Sequence, residues 1–205
     1  MNNKRTTIYL YRHVETNWNV EDRITGQMEG IHTAFTENGI KQIQSLTEKL
    51  KENSIEIIYY SDYERTSETA KMANEKLKLP MFSSKELRGL NMGKYQGMIL
   101  KEVLNIDEVK KCFLDYDLKF EGGESINQLN RRVLNFIKKV CENTQYTRIA
   151  MISHSAAISN LKAYITGEKY ISLNECKILY SKGELSVIDY VLNDSKGYEN
   201  RKMKE

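Results

Sequence analysis

The stretch Ile8-Tyr9-Leu10-Tyr11-Arg12-His13-Val14-Glu15-Thr16 decides how the rest of the chain is read. Its first four residues are apolar, aromatic or β-branched, which favours a strand. The run then breaks into arginine, histidine and glutamate, so the strand has reached the end of a sheet. In open α/β sheets that end is where ligands bind. Arg12 offers a planar, permanently charged fork suited to phosphate or carboxylate. His13 beside it is nucleophilic at neutral pH. A surface arginine next to a hydrogen-bonded histidine would look the same locally, so the remaining chain has to separate the two.

Two more segments repeat the pattern. Ile55 to Tyr60 is an apolar strand ending in Ser61-Asp62, and Arg148 to Ser153 runs into Ser153-His154-Ser155. Residues 17 to 35 are polar and glycine-bearing, a long loop of the kind that is usually functional. Thr36 and Gly39 lead into a helix whose Ile40, Ile43, Leu46 and Leu50 fit one face. A helix from about Tyr63 to Leu77 takes Asp62 as its N-cap, and Leu79 to Phe82 forms a short edge strand. After an irregular stretch from 84 to 97, Leu100 to Tyr116 is helical. Ser125 and Gln128 have capping-box spacing and open a helix striped by Leu129, Val133, Phe136, Ile137 and Val140. A helix from Ala156 to Ile165 is closed by Gly167. Lys177 to Tyr180 and Leu185 to Val191 read as a terminal hairpin around Lys182-Gly183. Strands alternating with helices imply one α/β domain over residues 1–205 with a largely parallel sheet.

The 205 residues are enough to bury a sizeable core, and 40% hydrophobic with 29% charged residues describes an ordinary globule. A net charge of +3 is too small to argue for nucleic acid, and the basic residues from Lys196 to Lys204 read as part of a flexible tail over about 194–205. No window has the length of a membrane span, and the first residues lack the apolar core of a signal peptide, so a cytoplasmic location is expected. Cys112, Cys141 and Cys176 have no zinc-ligand spacing and read as reduced structural thiols. No metal site is expected.

Three strand ends thus carry reactive groups: Arg12-His13, Ser61-Asp62 with Arg65 one turn on, and Ser153-His154. In a parallel sheet they lie on one side, so two histidines and two arginines can converge. A phosphoryl group in transfer spreads negative charge over three equatorial oxygens. Two arginines can clamp those oxygens while one histidine attacks in line and the other supports the charge.

The chain resembles the histidine phosphatase superfamily, in the branch with phosphoglycerate mutases and small bacterial phosphatases. The pattern L-x-R-H-G-E-T-x-x-N is met by Leu10, Arg12, His13, Glu15, Thr16 and Asn19. Arg23, Thr25, Gly26, Thr36 and Gly39 fit the following segment, and Ser61-Asp62, Arg65, Thr69 and Ala70 match S-D-x-x-R-x-x-x-T-A. Gly123-Glu124-Ser125 matches G-E-S, and Ser153-His154 matches S-H-G. The resemblance spans about residues 8 to 165. It implies a phosphoglycerate mutase-like three-layer sandwich with helices on both faces of a mostly parallel sheet. It also implies a phosphohistidine on His13, His154 as the second pocket histidine, and Arg12 and Arg65 as the phosphate clamp. Asn19, Thr25, Gly26 and Ser155 are implied to contact the substrate. Trp18 reads as packing, and His32 as a loop histidine.

Three departures stand out. Leu87-Arg88-Gly89-Leu90-Asn91-Met92-Gly93 puts Gly89 where the family has the glutamate that protonates the leaving oxygen. Glu86 and Glu124 are the nearest replacements in sequence. Val14 stands for the glycine of R-H-G and is expected to narrow the phosphate pocket, and Ser155 stands for that of S-H-G. The leading expectation is a metal-independent, cofactor-free phosphomonoester hydrolase acting on a small molecule, without a nucleic-acid or membrane partner; a homodimer is left open. The alternatives are a catalytically weak phospho-ligand-binding or regulatory protein, suggested by Gly89 and Val14, and a mutase-type phosphotransferase. Arg23-Ile24-Thr25-Gly26 and Gln96-Gly97 lean toward the latter, although the chain is short for that branch.

Overall fold

A computed structural model of the protein describes residues 5–28, 33–166 and 186–191. Its centre is a five-stranded sheet. β1 (Arg5–Arg12), β2 (Ile57–Ser61), β3 (Met81–Ser84), β4 (Arg148–Ser153) and β5 (Ser186–Val191) lie in the order β3-β2-β4-β1-β5. The first four are parallel, and β5 pairs antiparallel with β1. Arg12 pairs with Ser153 and Tyr60 with Ile152, so β1, β4 and β2 end level with one another. That register brings the three polar strand ends together.

Period-2 alternation divides the strands between two cores. Ile8, Leu10, Ile57, Ile149 and Met151 enter one apolar cluster, and Tyr9, Tyr11, Ile58, Ala150 and Ile152 enter the other. The first is covered by α5 (Asp107–Leu114), α6 (Ile126–Asn143) and α7 (Ser155–Thr166), the second by α2 (Glu37–Glu52) and α3 (Glu64–Asn74). The three-layer α/β sandwich is as expected. Short helices α1 (Asn17–Val20) and α4 (Leu100–Val103) and two 3₁₀ turns, Lys85–Leu87 and Gly93–Tyr95, complete the described elements.

Several local expectations need correction. The loop from 17 holds α1, whose N-cap Thr16 donates its amide to Asn19 Oδ1 at 3.1 Å; four residues are too few to show helical periodicity. Ile40 is 47% exposed, and the buried stripe of α2 runs Gly39, Ile43, Leu46, Leu50. Glycine is needed at 39 because a Cβ there would sit 2.3 Å from the Glu15 carbonyl oxygen, so the helix start closes directly on the chain leaving His13. Asp62 does not cap α3, whose N-cap is Tyr63. It receives instead two hydrogen bonds from Arg88, Nε to Oδ1 at 2.8 Å and Nη2 to Oδ2 at 2.7 Å. The segment from Leu100 divides into α4 and α5. The capping box of Ser125 and Gln128 forms, and the stripe of α6 is buried as read except at the half-buried Phe136. Of the terminal hairpin, the second arm is β5, which pairs with β1 at the sheet edge. The first arm, Gly167, His32, Cys176 and the basic tail lie outside the described residues. Cys112 and Cys141 are buried thiols not joined in a disulfide. No helix among the described residues is long and apolar enough to cross a membrane.

Candidate active site

A pocket of about 620 Å³ opens at the ends of β1, β4 and β2, within the range of small-molecule sites. Arg12, His13, Arg65 and His154 all line it, as do Asn19, Thr25, Gly26 and Ser155. The two imidazoles are buried, with ring centroids 5.3 Å apart at 60°.

Hydrogen bonding assigns the protons on both rings. His13 Nδ1 lies 2.8 Å from its neighbour's carbonyl oxygen, on Val14. A carbonyl only accepts, so Nδ1 carries the hydrogen and Nε2 keeps its lone pair. Burial, aided by the charges of Arg12 and Arg65, holds the pKa of His13 well below the ordinary 6.5, because the cationic form is disfavoured in a dry site beside like charge. His13 is therefore a neutral base with its outer nitrogen unprotonated. His154 has the opposite tautomer. Arg65 Nη2 donates to its Nδ1 at 3.0 Å, so Nε2 bears the hydrogen and donates to Ser61 Oγ at 2.9 Å. Its pKa is likewise depressed, by burial first and then by Arg65, His13 and Arg12.

Arg65 is 4% exposed, and burial lowers its pKa to about 10, which leaves it charged at neutral pH. Its Nη2 also donates to the Gly26 carbonyl at 2.7 Å, tying the loop of Thr25 and Gly26 to the clamp. The guanidinium stacks on Tyr63, with Arg88 on the same ring, and Tyr63 Oη donates to the Gln27 carbonyl at 2.8 Å. Asn19 accepts from the Thr16 amide at 3.1 Å through its oxygen, so its Nδ2 hydrogens are what it can offer a ligand. Trp18 packs under Arg23 and does not line the pocket.

Val14 does not reshape the phosphate pocket. Its side chain is buried in the core cluster with Tyr9 and Ile43, and it does not line the pocket. The carbonyl that holds His13 is backbone and survives the substitution. Neither proposed replacement acid reaches the pocket lining. Glu86 is exposed. Glu124 is tied up by Arg132 Nη2 at 2.8 Å, the Asn91 amide at 2.9 Å and Gln27 Nε2 at 3.1 Å. Arg132 also donates to the carbonyls of Glu86 at 2.8 Å and Arg88 at 3.0 Å, so the Glu124–Arg132 pair braces the loop that carries Gly89. A Cβ at Gly89 would lie 3.1 Å from Cβ and 3.2 Å from Cγ of His154, so a larger residue there fits only if His154 gives way slightly. Tyr63, Gln27 and Arg132 are site residues that sequence reading missed, since their roles rest on long-range bonds with no local pattern. Among the described residues, no group of three or more His, Cys, Asp or Glu side chains comes together as a metal site.

The profile of the histidine phosphatase superfamily (branch 1) matches residues 8–197. The chain is 32% identical over 161 residues to phosphoglycerate mutase-like protein 4 of Arabidopsis thaliana, covering 75% of this chain and 68% of that protein. It is 29% identical over 179 residues to a Proteus mirabilis protein described as "Probable phosphoglycerate mutase GpmB", covering 83% and 82%. The crystal structure of the alpha-ribazole phosphatase of Shigella flexneri superposes with a TM-score of 0.72 at 26% identity, covering 95% of this chain and all (100%) of that one.

Proposed function

The chain belongs to the histidine phosphatase superfamily (branch 1), and from that membership we propose that it hydrolyses a small-molecule phosphomonoester through a phosphohistidine on His13. The observation that carries the proposal is the tautomer of His13: the Val14 carbonyl takes its Nδ1 hydrogen, and Nε2 is left with a lone pair beside two arginines. Arg12 and Arg65 hold the phosphoryl oxygens, with Asn19 Nδ2 adding a donor. Nε2 attacks phosphorus in line and the ester bond breaks toward the alcohol oxygen. His154, neutral and pinned by Arg65 and Ser61, lies against the equatorial face as a polar wall. Water then displaces the phosphoryl group from Nε2 and releases inorganic phosphate. The arginines supply the positive charge that this transfer needs, and the scheme calls on no metal. We also propose a cytoplasmic location.

Gly89 favours a second reading, a protein that binds a phosphorylated ligand without turning it over. Incubation of wild type and His13→Ala with a panel of phosphomonoesters, following phosphate release without added metal, separates the two. Turnover lost in the variant supports hydrolysis; tight binding with no turnover by wild type supports the second reading.

A further inference from the structure

Breaking a phosphomonoester leaves an alkoxide unless its oxygen is protonated as it departs, and positioned acid catalysis contributes about 10²–10⁴-fold. Among the pocket's titratable groups, His13 Nε2 is the nucleophile and must enter unprotonated. His154 directs its one hydrogen to Ser61 and its lone pair to Arg65. The nearby carboxylates are elsewhere: Glu15 accepts from Thr36 Oγ1 at 2.9 Å off the pocket lining, Asp62 is clamped by Arg88, and Glu124 by Arg132. Among the described residues that line the pocket, one carries a carboxyl group, Asp22.

We propose that Asp22 is the proton donor to the leaving oxygen and, in the second half-reaction, the base for the attacking water. The inference rests on the phosphohistidine reading above. Asp22 sits in the left-handed region at φ +55°, a conformation that aspartate tolerates better than most residues. Its backbone is held from two sides: its amide donates to the Asn19 carbonyl at 3.3 Å, and its own carbonyl accepts from Leu100 at 2.8 Å. The next residues are bound in turn, Ile24 donating to the Met98 carbonyl at 2.9 Å and Gly97 to that of Ile24 at 2.7 Å. The carboxyl group is thus mounted on a braced turn between Asn19 and Thr25.

The step balances. The His13 Nε2 lone pair forms the N–P bond, the P–O bond pair passes to the leaving oxygen, and the Asp22 proton joins it to give the alcohol. In the return step water attacks phosphorus, Asp22 takes its proton, and the N–P pair goes back to Nε2. Asp22 and its surroundings carry no helix period or strand alternation, and its role depends on which loop closes the pocket.

The test compares an activated aryl ester, p-nitrophenyl phosphate, with the alkyl esters glycerol 2-phosphate and phosphoethanolamine. Nitrophenolate departs without a proton, so the loss of kcat/KM in Asp22→Asn should be about 10²-fold or more greater on the alkyl esters. Asp22→Glu, which keeps a carboxyl group, should recover part of the alkyl-ester rate. Equal losses on both classes, no loss on either, or a wild type that cleaves only the aryl ester would overturn the assignment of Asp22 alone. If wild type cleaves neither class, the phosphatase reading itself falls and takes this one with it.

Discussion

At the scale of single residues, the site turns on where two protons sit. The Val14 carbonyl and the Arg65 guanidinium fix opposite tautomers on His13 and His154, and burial keeps both rings neutral. For a base whose pKa is depressed, the active neutral form persists as pH falls below the ordinary value of 6.5. The kcat/KM profile should therefore show no loss of rate near pH 6.5 assignable to His13; a titration centred there would contradict the tautomer argument. Gly89→Glu should lower turnover, by about tenfold or more, since small displacements of a catalytic group are costly. Its Cβ would press on an imidazole already pinned at both nitrogens, and a rise in kcat/KM would show that the space is available. His13, His154, Arg12 and Arg65 could all be read from sequence because their motifs are local. Tyr63 could not, since nothing in its neighbourhood signals that it carries two guanidinium groups on its ring.

At the scale of elements, the loop between β3 and α4 is held by distant partners. Glu124, just ahead of α6, and Arg132 within it together hold the carbonyls or amides of Glu86, Arg88, Gly89 and Asn91. Arg132→Ala removes a charged donor to a partly buried carboxylate, with an expected cost of about 1–3 kcal/mol, read as a lowered midpoint in urea. An unchanged midpoint would mean that the pair is only a surface contact. Helices with a strong stripe, such as α6, and strands with a continuous apolar run, such as β4, were legible nearly to the residue. The turn α1 and the divided segment of α4 and α5 were not, because their lengths are set by caps and tertiary contacts and not by periodicity. The N-cap assigned to Asp62 failed for a similar reason: a bidentate arginine outcompeted the local cap.

At the scale of the whole molecule, a single sheet register lines up the ends of β1, β4 and β2, and the site follows from that alignment. Burying two neutral histidines also links folding to pH. Unfolding returns each to an ordinary pKa of 6.5, so below that pH the unfolded chain binds more protons than the native one. This contribution to stability is complete above pH 6.5 and declines as pH falls toward the depressed native values. Unfolding free energies from urea titrations at pH 7.5 and 5.5 should show a loss on acidification that is smaller in His13→Gln; identical losses in both proteins would remove His13 from the linkage. The parallel sheet and its two covered faces were legible from strands alternating with helices. The antiparallel seat of β5 beside β1 was not, because a hairpin and a distant edge pairing share the same local pattern. The central claim, that His13 Nε2 accepts the phosphoryl group, is tested most directly by denaturing wild type during turnover and locating the covalent phosphoryl group by mass spectrometry. The account predicts an acid-labile, base-stable phosphoramidate on His13 that is absent from His13→Ala. Steady turnover with no phosphoenzyme, or a phosphoryl group on another residue, would contradict it.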